Sequence, residues 1–419
     1  NKENNVFQLV VQYGAGEREF PKLGYAAQLM NNAGIMGAYE PQELKEELSK
    51  LNATCHVTAD DDNLYIIMEG YEATLPQACQ LLSRQILMPK LDEKQLARLK
   101  GSAMGMRQQR KDNVSILNEA LRQYMLYGEK SDYIKELTDK EIYELQISEL
   151  TGDINRASNY EAKVFFTGTL PFDQVYDILS KNLPLVANER PSNSPQAKDM
   201  MPVTENTVYF LPNNDAEQAQ IHLYIPMQKA DKKDDVLRSA FNQYFGLDFT
   251  GIVLNEIREK RSMAYTAYAF VGTQGIAGKA SYLRGYIGTQ NDKANDALDV
   301  LMGLVNDMPK NPERIDNIKS YLRQAMLTSH PSFRNKAMEL VDLGYRGYTD
   351  DPAKENLPKV DALTFDDIVK FYEENIKDKP YCISIMGNPK NIDLKRLEKF
   401  GKVVKLNERK LFNTKDALF

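Results

Sequence analysis

Histidine and cysteine are scarce, with three of each among 419 residues. Cys55, Cys79 and Cys382 form no Cys-x-x-Cys pair, which excludes a zinc ribbon or a dithiol redox site. His56, His222 and His330 lie far apart, and no His-x-x-x-His or His-Glu-x-x-His pattern occurs. His222 sits in Ile-His-Leu-Tyr-Ile, a strand pattern that suits a core or edge histidine better than a ligand. His56 beside Cys55 falls short of the three or four converging ligands that zinc needs. Asp60-Asp61-Asp62 lacks the glycine and distal glutamate of a calcium loop, and reads as a solvated turn. Gly272, Gly275 and Gly278 are spaced by three and open no helix, so they form no phosphate loop. No Gly-x-Ser-x-Gly elbow is present. By residue inventory the chain has no self-contained catalytic site. No apolar run approaches the roughly 18 residues of a membrane helix. Net charge is −6 with no basic tract, so neither a duplex nor a single strand stacked on the 23 tyrosines finds a cationic groove.

What is present is ordinary globular material, 42% hydrophobic and 27% charged, in a chain long enough for two or more domains. The first residue is Asn1, which suggests a chain processed or excised from a longer one. The compartment is not readable from the residues; a soluble protein of the bacterial periplasm or cell envelope is one placement that fits.

Strand patterns cover Val6 to Tyr13, Thr54 to Val57, Leu64 to Glu69 and Ala162 to Gly168. Between them run helical patterns, including Pro41 to Leu51, Leu75 to Leu87 and Asp92 to Arg110. From 184 to 204 Pro184, Pro191, Pro195 and Pro202 interrupt a polar stretch, the best linker in the chain. The second half then repeats the plan of the first. Met-Pro-Lys follows a helix at Met88 to Lys90 and again at Met308 to Lys310, after the helix Ala294 to Asn306. Matched features are 218 residues apart for Gly70 and Gly288, 220 for Pro89 and Pro309, and 219 for Gly168 and Gly387. Nearly equal offsets over matched order indicate duplication. The expectation is an α+β fold of two tandem homologous domains, 1–187 and 205–419, joined by a linker at 188–204. Each domain would be a mostly antiparallel sheet covered by helices.

The stretch Leu254 to Phe270 reads as a charged helix end that turns directly into a strand. Ile252, Val253 and Ile257 fit helical spacing, charges run from Glu256 to Arg261, and small and aromatic residues alternate from Ala264. Arg258 closes the helix and Tyr265 opens the strand. A permanent cation and a phenol on two rigid elements suit a carbonyl or an oxyanion; a solvated helix end followed by a core tyrosine fits the same spacing.

Ile-Arg-Glu-Lys-Arg-Ser-Met-Ala-Tyr resembles a segment in the C-terminal half of the pitrilysin/insulinase family of zinc metallopeptidases. Active members carry His-x-x-Glu-His on the first helix. Ala27, Met30 and Asn31 stand at those positions here, and Ala103 to Arg107, where a third ligand would lie, holds no carboxylate. The resemblance implies a half that holds no zinc and is inactive alone. Its partner would be a zinc-bearing half, in the same precursor or a separate subunit, that closes with it around a peptide. On this resemblance Arg258 and Tyr265 contact the scissile carbonyl. Some family members are instead non-enzymatic structural or interaction subunits, and the missing ligands are compatible with that role too.

Overall fold

Alternation in Val-Phe-Gln-Leu-Val-Val-Gln-Tyr sends Phe7, Leu9, Val11 and Tyr13 into the core on one face of strand β1 (Val6–Tyr13). The computed structural model describes residues 4–110, 113–183, 190–246, 250–329 and 331–413. His330, Pro184 and positions 188 and 189 of the expected linker lie outside these residues. The short strands β2 (Gly34–Ile35) and β5 (Pro89–Lys90) pair with each other. Strands β3 (Thr54–Ala59), β4 (Leu64–Tyr71) and β6 (Ala162–Thr167) join β1 in an antiparallel sheet of order β3-β4-β1-β6. Helices Leu23–Met30, Leu75–Leu87, Ile147–Ala157 and Phe172–Asn182 pack on its core face.

The second half contributes β7 (Thr207–Pro212), β8 (Gln218–Lys229), β9 (Ala264–Thr273), β10 (Ala280–Gln290), β11 (Cys382–Gly387) and β12 (Lys402–Lys405). Their order is β12-β7-β11-β8-β10-β9. The first sheet's order therefore recurs as β9-β10-β8-β11, in matching sequence positions, as the duplicated sequence pattern expects. The second sheet is extended by β7 and β12, which run parallel to their neighbours. Helix starts follow local chemistry in both halves. Asp92 and Gln95 form a reciprocal capping box at Glu93–Gln109, and Thr364 and Asp367 do so at Phe365–Asn375.

Each repeat also lends a helix to the other. Val114–Tyr127 leaves the first half and lies on the second sheet, where Leu117, Ala120 and Leu121 join Leu211, Met386 and Leu406. Further along, Met125 and Leu126 pack with Tyr224 and Cys382. The equivalent helix of the second repeat, Lys336–Tyr345, lies against β6, and Lys163 donates to the Tyr345 hydroxyl at 2.6 Å. Packing thus crosses the expected 1–187/205–419 division. The connecting segment is bonded to both halves: the Asn193 N–H donates to the Gly14 carbonyl, and Gln274 donates to the Lys198 carbonyl.

Under the Val114–Tyr127 helix, His222 sits 3% exposed with its Nε2 3.1 Å from Asn118 Oδ1. Burial, reinforced by the charges of Arg284 and Arg122, pushes its pKa down to about 3. His222 is therefore neutral in the fold, while the unfolded chain takes up a proton below about 6.5. Its contribution to stability is full above that pH and is lost as pH falls from 6.5 towards 3.

The outer edges of both sheets are closed in the same way. Asn31, just past Leu23–Met30, donates to the Val57 carbonyl and accepts from the Val57 N–H, both at 2.8 Å. Asn242 does this to Val271 at 2.9 and 2.6 Å. An amide side chain thus replaces a missing neighbouring strand, which protects an edge from pairing elsewhere.

Two outcomes follow. A His222→Gln variant loses less of its Tm than the parent between pH 6.5 and pH 4, measured by thermal unfolding across pH. An Asn242→Ala variant, which strips two bonds from a half-buried edge, is destabilised by about 1–3 kcal/mol in a urea titration.

Candidate functional site

The junction after Gly251 is built from three local irregularities. Ile252, Val253, Leu254 and Ile257 are buried and seat a short helix on the second core. From Asn255 to Glu259 this helix widens into one π-turn, closed by the Lys260 N–H donating to the Asn255 carbonyl at 2.9 Å. Such turns are rare and gather at functional sites. Ser262 then takes the left-handed conformation at φ +50°, and its N–H donates to the Arg258 carbonyl at 2.8 Å, which ends the helix. The Thr289 hydroxyl holds the Met263 carbonyl as the chain enters β9.

The third irregularity sets Tyr265. Ala264 pairs with Thr289 and Thr266 with Gly288, so Tyr265 is an extra residue with no partner in β10. Core-facing positions run Ala264, Ala267, Ala269 and Val271, with two consecutive residues between the first pair. This bulge turns Tyr265 and Thr266 to the side away from the helix-covered core, and Tyr265 is 78% exposed. Tyr265 is therefore not the core tyrosine that the spacing also allowed.

Electrostatics separate Arg258 from its neighbours. Lys260 donates to Glu256 at 2.6 Å and Arg261 pairs with the same carboxylate, holding the Glu256 pKa below the usual carboxylate range. Arg258 makes only a 3.5 Å approach to Glu259, and its guanidinium carbon lies 5.6 Å from the centre of the Tyr265 ring. At a site this exposed such a cation–π contact is worth about 0.5–1 kcal/mol, enough to hold the two side chains together but weak enough to rearrange. The structure thus brings together the two residues that the motif singles out. Five guanidinium N–H groups and one phenol O–H present a compact donor pair for a carbonyl oxygen.

The positions aligned with zinc ligands do not fit a metal. Ala27 and Met30 are each 2% exposed within the first core, and Asn31 is committed to Val57. In the Ala103 to Arg107 segment, Ala103 is buried and Arg107 pairs with Asp139 at 2.7 Å. A cavity of about 700 Å³ opens between Leu23–Met30 and Glu93–Gln109, but its carboxylates Glu40 and Asp92 are engaged at helix caps. Among the described residues no group of three or more His, Cys, Asp or Glu is placed to hold a metal. The acidic turn is more than a solvated loop: Asp60 caps its own turn, Arg18 pairs with Asp61 and Asp62, and Gln196 donates its N–H to Asp62. His56 is exposed on edge strand β3.

Sequence reasoning missed the π-turn, the bulge and the paired edge asparagines. The three-residue step from Ala264 to Ala267, which breaks a two-residue alternation, is the signal that marks the bulge.

Comparison with known proteins agrees with this picture. Residues 158–322, which include the junction, match the family described as the peptidase M16 inactive domain. No curated protein sequence matches the chain. The solved peptidase M16 inactive domain from Pseudomonas fluorescens superposes with TM-score 0.71 at 17% identity, covering 93% of this chain and 95% of that one. The periplasmic protease PqqL from Escherichia coli gives 0.70 at 13% identity, over 92% of this chain and 43% of its own. The ferredoxin protease FusC, solved with ferredoxin from Arabidopsis, gives 0.71 at 12%, over 92% and 42%. The chain thus spans less than half the length of these two proteases. Among the described residues no helix is long and apolar enough to cross a membrane. Residues 158–322 thus match the peptidase M16 inactive-domain family, and the fold is shared along nearly the whole chain with solved structures that include a peptidase M16 inactive domain.

Proposed function

We propose that this chain is the non-catalytic half of a zinc-dependent metalloendopeptidase, which encloses a peptide together with a zinc-bearing half. The observation that carries the reading is the Arg258–Tyr265 pair, exposed on the side of the sheet away from its helices by a π-turn and a bulge. A scaffold has no need of a cation and a phenol held together on a strained turn. PqqL and FusC, each more than twice as long as the segment that this chain matches, are proteases, and this supports a two-half arrangement.

In that arrangement metal and water activation belong to the other half. What this chain supplies is binding and orientation. Arg258 offers a fixed positive charge to a peptide carbonyl, and the Tyr265 hydroxyl donates to the same oxygen as negative charge develops on it. Closure excludes water and strengthens both contacts. Because Arg258 also stacks on the ring, a Tyr265→Phe change removes the donor and keeps the partner in place.

Combined with its zinc-bearing half, the chain cleaves peptides in a chelator-sensitive manner, and alone it does not. In the combined enzyme Tyr265→Phe lowers kcat and kcat/KM together by about ten- to a thousand-fold, the mark of a contact made in the transition state. Steady-state kinetics on one peptide checks this. An unchanged kcat removes Tyr265 from the role, and no cleavage with any zinc-bearing half favours a structural subunit on the same fold.

A further inference from the structure

The face of the second sheet that carries Tyr265 continues along β9 and β10 as an aromatic wall. Tyr268 pairs with Tyr286 across the strands, their rings 5.2 Å apart, and Phe270 pairs with Arg284. Tyr282 lies two residues from Arg284 on the same face. The borrowed helix covers the β8 and β11 side of this face, while these five side chains remain half-buried.

Arg284 stands out in this wall. Its side chain makes no hydrogen bond, ion pair or ring contact with any described residue, and its Nε is buried without a partner. Arg98 and Arg409 also have no partner among the described residues, but both are exposed, where water satisfies them. A guanidinium with a shielded, unsatisfied N–H carries a desolvation cost that a bound anion would offset. It lies near enough to His222 for its charge to help lower that histidine's pKa.

We propose that Arg284 is a specificity residue, a subsite for a carboxylate carried by an extended peptide lying along this face. This rests on the peptidase-half reading and names its substrate class. The planar fork of Arg284 matches a carboxylate in bidentate fashion. A phosphate dianion calls for a second cation, and Arg122, the other arginine that acts on His222, is already held by Glu119. From Thr266 to Phe270 is four strand residues, about 13 Å. An extended peptide has the same rise, so the acidic side chain or terminal carboxylate lies about four residues from the bond held at Tyr265.

The test scans a single Glu, against Gln, along one peptide on both sides of the cleaved bond. It reads kcat/KM in the combined enzyme and equilibrium binding to this chain by fluorescence anisotropy. Glu is expected to be preferred about ten- to a hundredfold at one position near the fourth residue, in both readouts. Arg284→Gln abolishes that preference and Arg284→Lys restores part of it. Cleavage with no Glu preference overturns the assignment and leaves the peptidase reading standing. Equal loss for Glu and Gln peptides in Arg284→Gln also overturns it, since that marks a contact with the partner half. Arg284-dependent binding of the Glu peptide without cleavage upholds the subsite and overturns the peptidase reading alone.

Discussion

Among the described residues each sheet is packed against a helix from the other repeat, and the fold depends on that exchange between repeats. Each sends one helix across: Val114–Tyr127 onto the second sheet and Lys336–Tyr345 onto the first. The apolar contacts of Leu117 and Leu121 bind the halves by burial, and the Asn118–His222 contact places a polar group in the same layer. The cover is incomplete on the second sheet. Beyond β8 the helix gives way to the half-buried wall of β9 and β10, and at the start of β9 stand Arg258 and Tyr265.

The site follows from departures from regular geometry, each placed where a regular element would fail. A regular helix and strand would leave Tyr265 in simple alternation behind Ala264. The π-turn, the left-handed Ser262 and the extra residue in β9 together set Arg258 and Tyr265 side by side on the outer face. Glu256 completes the arrangement by engaging Lys260 and Arg261, so that Arg258 is the cation at the junction left to a weak aromatic contact. The strain of a left-handed serine, about 1 kcal/mol, is small beside the burial of Ile252, Val253 and Ile257 beneath it.

Much of this was legible in the residues. The nearly equal offsets between Gly70 and Gly288 and between Gly168 and Gly387 announce the duplication, because a repeated fold keeps its turn glycines near strand ends. Helices Leu75–Leu87 and Ala294–Asn306 appear with the expected bounds, since each has a clear apolar stripe and a following Met-Pro-Lys. The acidic run at Asp60 was half read: the turn was visible, but its bonds to Arg18 and Gln196 come from segments more than forty residues away in sequence. The same non-locality hid the exchanged helices. An amphipathic pattern states that a face is buried and is silent on which sheet buries it. Parallel strands β7 and β12 escaped for that reason too. Arg284 escaped because an arginine in a strand pattern looks solvated, and only the fold reveals that its Nε is shielded and unpaired.

The central claim is that the Arg258–Tyr265 pair faces a peptide held between this chain and a zinc-bearing half. The most direct measurement is a crystal structure of that combined enzyme with a phosphinic peptide, whose tetrahedral oxygens stand in for the developing oxyanion. The account predicts the Tyr265 hydroxyl and an Arg258 N–H within about 2.7–3.1 Å of a phosphinate oxygen. A structure in which the peptide binds while both side chains point away from it, into solvent or a lateral contact, would contradict the account.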